Sequence, residues 1–248
     1  MERLLNATLN VIRQYGEELF IDVSRPYAYT MVVRHEDKKI FLKLARDVDE
    51  VSNSAIRDMK LLSDFLKASA IGVISAAHGE VLEEGVVYRK SGMNFVSLAT
   101  LAKAFRGEMP RFIRSKGKRY AIIDGEEFRR SRERLGLSLN EVSRMLSVSR
   151  ETLYRYEKGE YSVPERAARI IMKMDGSIIK GIDIFRTVKA DEMDMASRAI
   201  DVNKYRLEES HPDGIIYGNE TKLLVRDKER REKAELLGQI FGVTVVEE

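Results

Sequence analysis

The chain has 248 residues, with 43 Lys and Arg against 40 Asp and Glu and a formal net charge of +3. It contains no cysteine, which excludes disulfides, thiolate metal sites and a cysteine nucleophile. With 44% hydrophobic and 33% charged residues, no signal-like N-terminus and no apolar run of membrane-spanning length, the sequence predicts a globular, cytoplasmic protein without membrane partners.

The first 109 residues alternate helical and strand-like patterns. Apolar residues at helical spacing predict a helix over residues 1–15. Two apolar runs, Ala28–Val33 and Ile40–Ala45, flank a polar turn and predict a hairpin. Further helices are expected over Ser52–Lys67 and Leu98–Phe105. We therefore expect an α/β domain over residues 1–109.

A basic hairpin is predicted next, over residues 110–124, with its turn at Ser115–Lys118. Three of its cations, Arg114, Lys116 and Lys118, are candidates for contacts to DNA phosphates. Closely spaced cations favour DNA binding because they release counterions from the DNA backbone. A solvated linker between two domains is the alternative interpretation of the same residues.

The most informative stretch is Leu135–Pro164, which reads LGLSLNEVSRMLSVSRETLYRYEKGEYSVP. Its apolar positions predict two short helices that cross at a tight turn, the first over Leu139–Leu146 and the second ending near Lys158. Ser138 and Ser149 each stand before a helical run, where a hydroxyl accepts a hydrogen bond from a free backbone N–H.

This stretch resembles the helix-turn-helix of the phage-repressor and Cro type. The resemblance is carried by Gly136, Leu137, Ser138, Glu141, Val142, Ser143, Leu146, Val148, Ser149, Leu153, Tyr156, Glu157 and Gly159. In that family the second helix enters the major groove of DNA. The resemblance implies base contacts from Arg150, Glu151 and Arg155, and phosphate contacts from Ser149 and Lys158.

The same resemblance implies a structural ion pair between Arg132 and Glu157. The chain departs from the family pattern at two positions. Leu139 stands where a phosphate-contacting Gln is usual, and Ser147 stands where Gly is usual in the turn. We therefore expect one phosphate contact fewer than in the family and a slightly altered turn.

Helices over Glu126–Leu135, Pro164–Met174 and Ser177–Phe185 complete the prediction of an all-α, five-helix domain over residues 125–186. Between Arg111 and Phe185 there are 17 Lys and Arg against 11 Asp and Glu, a net charge of +6 that leaves −3 for the flanks. Positive charge is thus concentrated on the segment that resembles a DNA-binding domain.

Residues 190–248 are expected to form a small α/β domain with a hairpin, a helix over Lys228–Phe241 and a strand over Val243–Val246. The order Ser-x-Pro, hairpin, helix, strand occurs twice, starting at Ser24-Arg25-Pro26 and at Ser210-His211-Pro212. We interpret the C-terminal domain as a diverged half-repeat of the N-terminal one, with convergent α/β patterning as the alternative.

The N-terminal segment is similar to the restriction-endonuclease-like core, in which an Asp and an (Asp/Glu)-x-Lys motif on a hairpin hold Mg²⁺. Here the motif position is Phe41-Leu42-Lys43, and the first acid is replaced by Ala28 or Tyr29. Asp22 precedes the hairpin, and Asp213 in the C-terminal copy has no second acid. We therefore expect neither a metal ion or other cofactor nor DNA cleavage.

The three histidines, His35, His78 and His211, show no metal-ligand spacing and are expected in solvent-exposed turns. The domain order is similar to that of archaeal HTH-type transcriptional regulators. From the helix-turn-helix spacing, the local charge of +6 and the missing acids, we expect an α+β multidomain protein that binds double-stranded DNA sequence-specifically as a homodimer and is not an enzyme. The alternatives are a metal-dependent nuclease with relocated acids and a protein-interaction adaptor. The operator and a small-molecule effector are left open.

Overall fold

The structure is a computed structural model that describes residues 1–23, 27–226 and 228–247. Its N-terminal part contains α1 (Glu2–Tyr15), β1 (Glu17–Ile21), β2 (Met31–His35), β3 (Lys38–Asp47), α2 (Asn53–Phe65), β4 (Ser69–Ala77), β5 (Glu80–Val81), β6 (Val86–Lys90), β7 (Met93–Val96) and α3 (Leu98–Phe105). The three predicted helices and the hairpin are confirmed. Serines begin two of these helices, because the hydroxyls of Ser52 and Ser97 accept backbone N–H bonds from Ala55 and Thr100.

The middle part contains β8 (Phe112–Ser115), β9 (Lys118–Ala121), α4 (Gly125–Arg134), α5 (Leu139–Leu146), α6 (Arg150–Glu157), β10 (Val163–Pro164), α7 (Glu165–Met174) and a short 3₁₀ helix (Gly176–Ile178). The C-terminal part contains α8 (Glu192–Arg198), β11 (Ala199–Asp201), β12 (Lys204–Arg206), β13 (Gly214–Ile216), β14 (Lys222–Val225), α9 (Lys228–Phe241) and β15 (Thr244–Glu247). The basic hairpin is present, with Lys116 and Gly117 in its turn.

Strands of the N-terminal and middle parts form one sheet in the order β1-β2-β3-β4-β7-β6-β8-β9-β10, with β5 beside β4. The basic hairpin joins this sheet because β8 pairs in parallel with β6, from Val86 opposite Phe112 to Tyr88 opposite Arg114. At its other side, β9 pairs with β10, which lies between α6 and α7 in the chain. Continuous strand pairing therefore connects the helical part to the N-terminal sheet.

Both faces of the N-terminal sheet are covered, which explains why six successive residues of β3, from Ile40 to Ala45, are buried. Phe41 and Ala45 belong to the core beneath α2 and the C-terminal part. Leu42 and Leu44 belong to the core on the other face, which also contains residues from α1, α3 and the segment 182–185. A third core unites the helices α4 to α7 with β9 and β10. Its buried residues include Phe128, Val142, Leu146, Leu153, Tyr156 and Ile171.

The prediction of a helix over Ser177–Phe185 is wrong. The description of residues 125–186 as a five-helix domain is therefore wrong as well. Only the 3₁₀ helix Gly176–Ile178 forms, and the chain then runs as an extended segment. Its backbone is held by distant partners: Ile182 N–H donates to Pro110 O (2.8 Å), and Ser69 Oγ donates to Phe185 O. The segment forms no further helix because its apolar side chains are buried against the N-terminal sheet instead.

The C-terminal sheet has the order β11-β12-β13-β14-β15. Its hairpin β13–β14 is followed by α9 and by β15, which pairs in parallel with β14. The N-terminal hairpin β2–β3 is likewise followed by α2 and by β4, which pairs in parallel with β3. The two parts thus share a topology, and the half-repeat stays an interpretation of it. One of the two Ser-x-Pro sequences, Ser24-Arg25-Pro26, lies outside the described residues.

Buried charges fix the C-terminal part to α2. The fully buried Asp58 carboxylate accepts the backbone N–H groups of Glu208 (2.8 Å) and Glu209 (2.7 Å). It also lies 3.2 Å from Arg198 Nη2. Burial raises the pKa of Asp58 to about 7, against the opposing effect of these donors. Aromatic stacking extends the contact, with Phe41 on Phe241 and Phe65 on Tyr217.

Candidate nucleic-acid interface

The first helix of the helix-turn-helix forms over the predicted residues because local signals define both of its ends. Ser138 Oγ accepts the backbone N–H of Glu141 (3.2 Å), and the Glu141 carboxylate accepts the backbone N–H of Ser138 (2.8 Å). This capping box satisfies two free donors of the first turn. The Ser138 hydroxyl also donates to the Glu141 carboxylate (2.7 Å), and this bond, together with that from the Ser138 backbone N–H, lowers the pKa of Glu141.

The turn between the two helices is left-handed at Ser147, with φ +56° and ψ +46°. The family pattern has Gly at this position because Gly adopts positive φ without steric cost. Ser147 itself adopts a positive φ, so the left-handed turn forms without Gly at this position. The backbone N–H of Val148 donates to Ser143 O (3.0 Å) and closes the turn.

The second helix, α6, begins after Ser149, whose hydroxyl accepts the backbone N–H of Thr152 at 3.0 Å. It ends at Glu157, and Gly159 follows with φ +70°. Leu153 and Tyr156 are buried on its inner side. These two anchors fix the rotation of the helix, and Arg150, the first residue of α6, is exposed.

Arg132 and Glu157, which the resemblance pairs, lie in contact. Arg132 Nε is 2.5 Å from Glu157 Oε1, and Nη2 is 3.3 Å from Oε2. The same guanidinium donates to Leu137 O at 2.9 Å. Because the two side chains are only 11% and 7% exposed, this two-pronged pair fixes α6 to α4 inside the bundle.

The outer side of α6 carries the residues proposed to contact bases. Arg150 is exposed and makes no ion pair with any residue in the described parts of the chain. Glu151 and Arg155 pair with each other, with Nη2 2.6 Å from Oε1. Arg155 also donates to the hydroxyl of Tyr161, and its guanidinium lies 5.4 Å from the centre of that ring. The Arg155 side chain is still 41% exposed.

Tyr161 was not predicted from the sequence to have a role at this surface. A signal for it does exist, because Gly159 reverses the chain directly after α6 and returns the next residues to the same helix. Tyr154 was also missed: it is exposed on α6, and Lys158 Nζ lies 5.4 Å from the centre of its ring. Both tyrosines add flat, exposed rings beside cations.

The residues predicted to contact phosphates differ in whether their side chains already bind other protein groups. Lys116 and Lys118 are exposed at the hairpin turn, and no ion pair joins them to the described parts of the chain. Arg114 is already bound to Glu80, with Nη2 2.5 Å from Oε2, and must leave this carboxylate to contact DNA. Ser149 uses its hydroxyl as a helix cap, and Lys158 is exposed at the end of α6.

The position of a nuclease centre is occupied by apolar and cationic groups. Phe41 and Leu42 are fully buried, and Lys43 follows them in the middle of β3. Lys43 Nζ donates to Tyr27 O, and burial lowers the pKa of Lys43. In the described parts of the chain no cluster of three or more His, Asp or Glu is placed to hold a metal ion. The residues present therefore do not fit the Mg²⁺ that this fold binds in nucleases.

The C-terminal part covers this position. The backbone N–H of Ala28 donates to Glu209 O (2.5 Å), and Tyr29 Oη donates to His211 O (2.7 Å). The ring of Tyr27 lies 4.2 Å from that of His211. A DNA phosphate has no access to Lys43 while this segment is in place.

The expectation that His211 is solvent-exposed is wrong. The residue is only 2% exposed, and neither ring nitrogen has a hydrogen-bond partner within the described structure. Nε2 lies 3.6 Å from Asp22 Oδ2. Burial lowers the pKa of His211 to about 4, and Lys233 contributes to the shift. The sequence around His211 did not indicate this buried environment, because Asp22 and Tyr27, which are almost 200 positions away in the chain, form part of it.

Comparison with known proteins matches two regions of the chain. A PD-(D/E)XK superfamily domain matches residues 1–110, and a helix-turn-helix domain matches residues 125–174. A protein of Pyrobaculum aerophilum, provisionally named an HTH-type transcriptional regulatory protein, is 44% identical over 99% of this chain and 98% of its own length.

The chain belongs to this archaeal family of HTH-type transcriptional regulatory proteins. A member from Archaeoglobus fulgidus is 31% identical over 88% of this chain and 75% of its own length. One from Pyrococcus horikoshii is 33% identical over 75% of this chain, which spans 60% of that relative. No solved structure is significantly similar to the chain. Within the described residues, no helix is both long and apolar enough to cross a membrane.

Proposed function

We propose that this protein is a sequence-specific, double-stranded DNA-binding transcriptional regulator that places α6 in the major groove. The observation that carries the proposal is Arg150, an exposed arginine in the first turn of α6 that has no ion-pair partner among the described residues, while Leu153 and Tyr156 anchor the helix in the core. In helix-turn-helix proteins the side chains near the start of the second helix contact base edges. The family membership supports the same function.

Arg150 and Arg155 each have the geometry for a bidentate contact to guanine O6 and N7. The Glu151 carboxylate can accept a hydrogen bond from the N4 amino group of cytosine once its ion pair with Arg155 is broken. Each good base contact contributes on the order of 1–3 kcal/mol of discrimination against a wrong base. We therefore expect a half-site that contains G·C pairs.

We further propose that the protein acts as a homodimer. One helix of eight residues contacts only a few base pairs, which is too short a site for a regulator to select within a genome. Two copies related by a two-fold axis double the site. Their half-sites are expected about 34 Å apart along the duplex, which is one helical turn.

The proposed regulator does not cleave DNA. Support comes from the residues at the two acid positions, Phe41 in one and Ala28 or Tyr29 in the other, and from the C-terminal segment that covers Lys43. We propose that the nuclease-like domain serves instead as the frame to which the hairpin and the helices are joined.

Selection of bound duplexes from a random oligonucleotide pool tests this function. The wild-type protein is expected to enrich a motif with two related half-sites, and Arg150→Ala is expected to lose the preference at one base pair of each half-site. If no motif is enriched, or if Arg150→Ala enriches the same motif, the proposal is wrong.

A further inference from the structure

A cleft of about 670 Å³ lies where the three parts of the chain meet. One wall is the extended segment that follows the 3₁₀ helix, from Lys180 to Lys189. The opposite wall contains Arg89 from β6, Asn94 from β7 and Lys60 from α2. The volume falls in the range of small-molecule binding sites.

The cleft carries an excess of positive charge. Its lining includes five cations, Lys60, Arg89, Lys180, Arg186 and Lys189, and two acids, Asp183 and Asp191. Lys60 is neutralised by Asp191 (3.0 Å) and Asp194. Arg186 and Lys189 are exposed and have no ion-pair partner among the residues described by the structure. These two side chains are therefore available to an anion.

Apolar side chains adjoin the free cations. Ile122, Ile182 and Val188 also line the cleft, and Ile122 is exposed although it is a large hydrophobic residue. An exposed apolar group beside unpaired cations fits a ligand that has an anionic group and an apolar ring. Arg and Lys together favour a phosphate ligand. Its oxygens accept two parallel hydrogen bonds from a guanidinium and are attracted to the compact charge of an ammonium group.

We propose that this cleft binds a small organic phosphate. A free small molecule fits better than the DNA backbone, because a concave space of this volume does not admit the convex surface of a duplex. The site is distinct from the outer side of α6, none of whose residues lines the cleft.

The cleft is connected to the DNA-binding helices through Lys180. Its Nζ lies 3.3 Å from Asp124 Oδ2, and Asp124 Oδ1 accepts the backbone N–H of Glu127 (3.1 Å) at the start of α4. Helix α4 in turn holds α6 through Arg132 and Glu157. A phosphate that draws Lys180 away from Asp124 weakens a cap of α4, so ligand binding is expected to change DNA affinity.

Calorimetric titration of the full chain without DNA tests the site, with adenosine 5′-monophosphate and inorganic pyrophosphate as probes and adenosine as the phosphate-free control. We expect saturable binding of at least one phosphate probe and none of adenosine. The double variant Arg186→Ala/Lys189→Ala is expected to bind at least tenfold more weakly. Arg3→Ala/Arg13→Ala, which removes two exposed cations of α1 outside the cleft, is expected to bind like wild type. No saturable binding, or equal binding by the cleft variant, overturns the proposal.

Binding to duplex DNA shows whether these two cations bind a small organic phosphate or the phosphates of the DNA backbone. The double variant is expected to bind DNA with wild-type affinity when no small phosphate is present. A general loss of DNA affinity with a smaller salt dependence assigns the two cations to the DNA backbone and overturns the small-molecule site. Because the titration uses DNA-free protein, its result tests the small-molecule site independently of the proposed regulator function.

Discussion

Arg155 is already ordered before DNA binds. Its guanidinium is shared between Glu151 and the hydroxyl of Tyr161, and it lies beside the tyrosine ring. This arrangement reduces the side-chain entropy that Arg155 would lose in the proposed contact to a base. It also couples two proposed base contacts, because Glu151 has to leave Arg155 before it accepts from cytosine. Substitutions of these two residues are therefore expected to be non-additive.

The pair between Arg132 and Glu157 gives a prediction at the residue scale. Glu157→Ala leaves the nearly buried guanidinium of Arg132 with Leu137 O and the half-exposed Glu133 carboxylate, 3.5 Å from Nη2, as its partners among the described residues. Removing one member of a buried ion pair costs about 3–5 kcal/mol. Chemical denaturation is expected to show a loss of unfolding free energy of this size.

The neighbouring residue Glu133 is the matched control. Its carboxylate pairs with Arg129 at 2.9 Å and lies 3.5 Å from Arg132 Nη2, and the Arg129 and Glu133 side chains are at least half exposed. An exposed ion pair contributes at most about 1 kcal/mol, so Glu133→Ala is expected to change stability little. Equal losses for the two variants contradict a structural role for Glu157.

At the scale of elements, the basic hairpin gives the second prediction. Lys116→Ala/Lys118→Ala removes two exposed cations at its turn and is expected to weaken binding to specific and non-specific duplexes alike. Each lost phosphate contact reduces the slope of log K against log salt by about 0.9. The slope from binding measured at several salt concentrations is therefore expected to fall by about two.

The control for the hairpin is again Arg3→Ala/Arg13→Ala, which changes the net charge by the same amount on α1. Its slope is expected to match that of the wild type. An unchanged slope in the hairpin variant contradicts DNA contact at the turn and favours the linker interpretation of its cations.

The helix-turn-helix was predictable because its signals are local. The serine caps at Ser138 and Ser149, the capping box with Glu141 and the stop at Gly159 act within a few residues of the chain. Apolar spacing then defines which side of each helix is buried. The bounds of α5 followed from the sequence, and those of α6 followed to within one residue.

Elements that depend on distant partners were not predictable in the same way. The segment after Ile178 has helical spacing, but Ser69 and Pro110 bind its backbone and the sheet buries its side chains. The pairing of Arg114 with Glu80 likewise depends on the course of the chain in three dimensions. Hydrophobic periodicity contains no information about such long-range contacts.

At the scale of the molecule, the C-terminal part completes the N-terminal core. Leu207, Ile215, Leu223 and Leu237 are buried in the same cluster as Phe41 and α2. The two parts therefore share one hydrophobic core, and the segment that covers Lys43 is attached to this core. Buried ionisable groups at this contact, Asp58 and His211, make its stability depend on pH.

His211 gives the third prediction. Because its pKa is about 4 in the folded chain and about 6.5 in the unfolded one, the unfolded state binds a proton first as the pH falls. The contribution of His211 to the free energy of unfolding therefore falls progressively as the pH drops below 6.5, by about 2 kcal/mol at pH 5. Asp58 acts in the opposite direction, because its raised pKa lets the folded state bind a proton first.

A comparison of variants separates these two effects. His211→Gln keeps Asp58 but has no titratable ring, so wild type is expected to lose about 2 kcal/mol relative to this variant between pH 7.5 and pH 5. His78→Gln removes an exposed histidine and is expected to show no such difference from wild type. Parallel stability curves for wild type and His211→Gln contradict a buried, neutral His211.

The central claim, that Arg150 contacts a guanine in the major groove, is tested most directly by a double-substitution cycle on the selected site. Replacing guanine by 7-deazaguanine removes the N7 acceptor without changing Watson–Crick pairing. The account predicts that each 7-deazaguanine at the contacted position weakens wild-type binding about five- to tenfold and leaves the binding of Arg150→Ala unchanged. An equal loss for both proteins at every guanine of the site contradicts it.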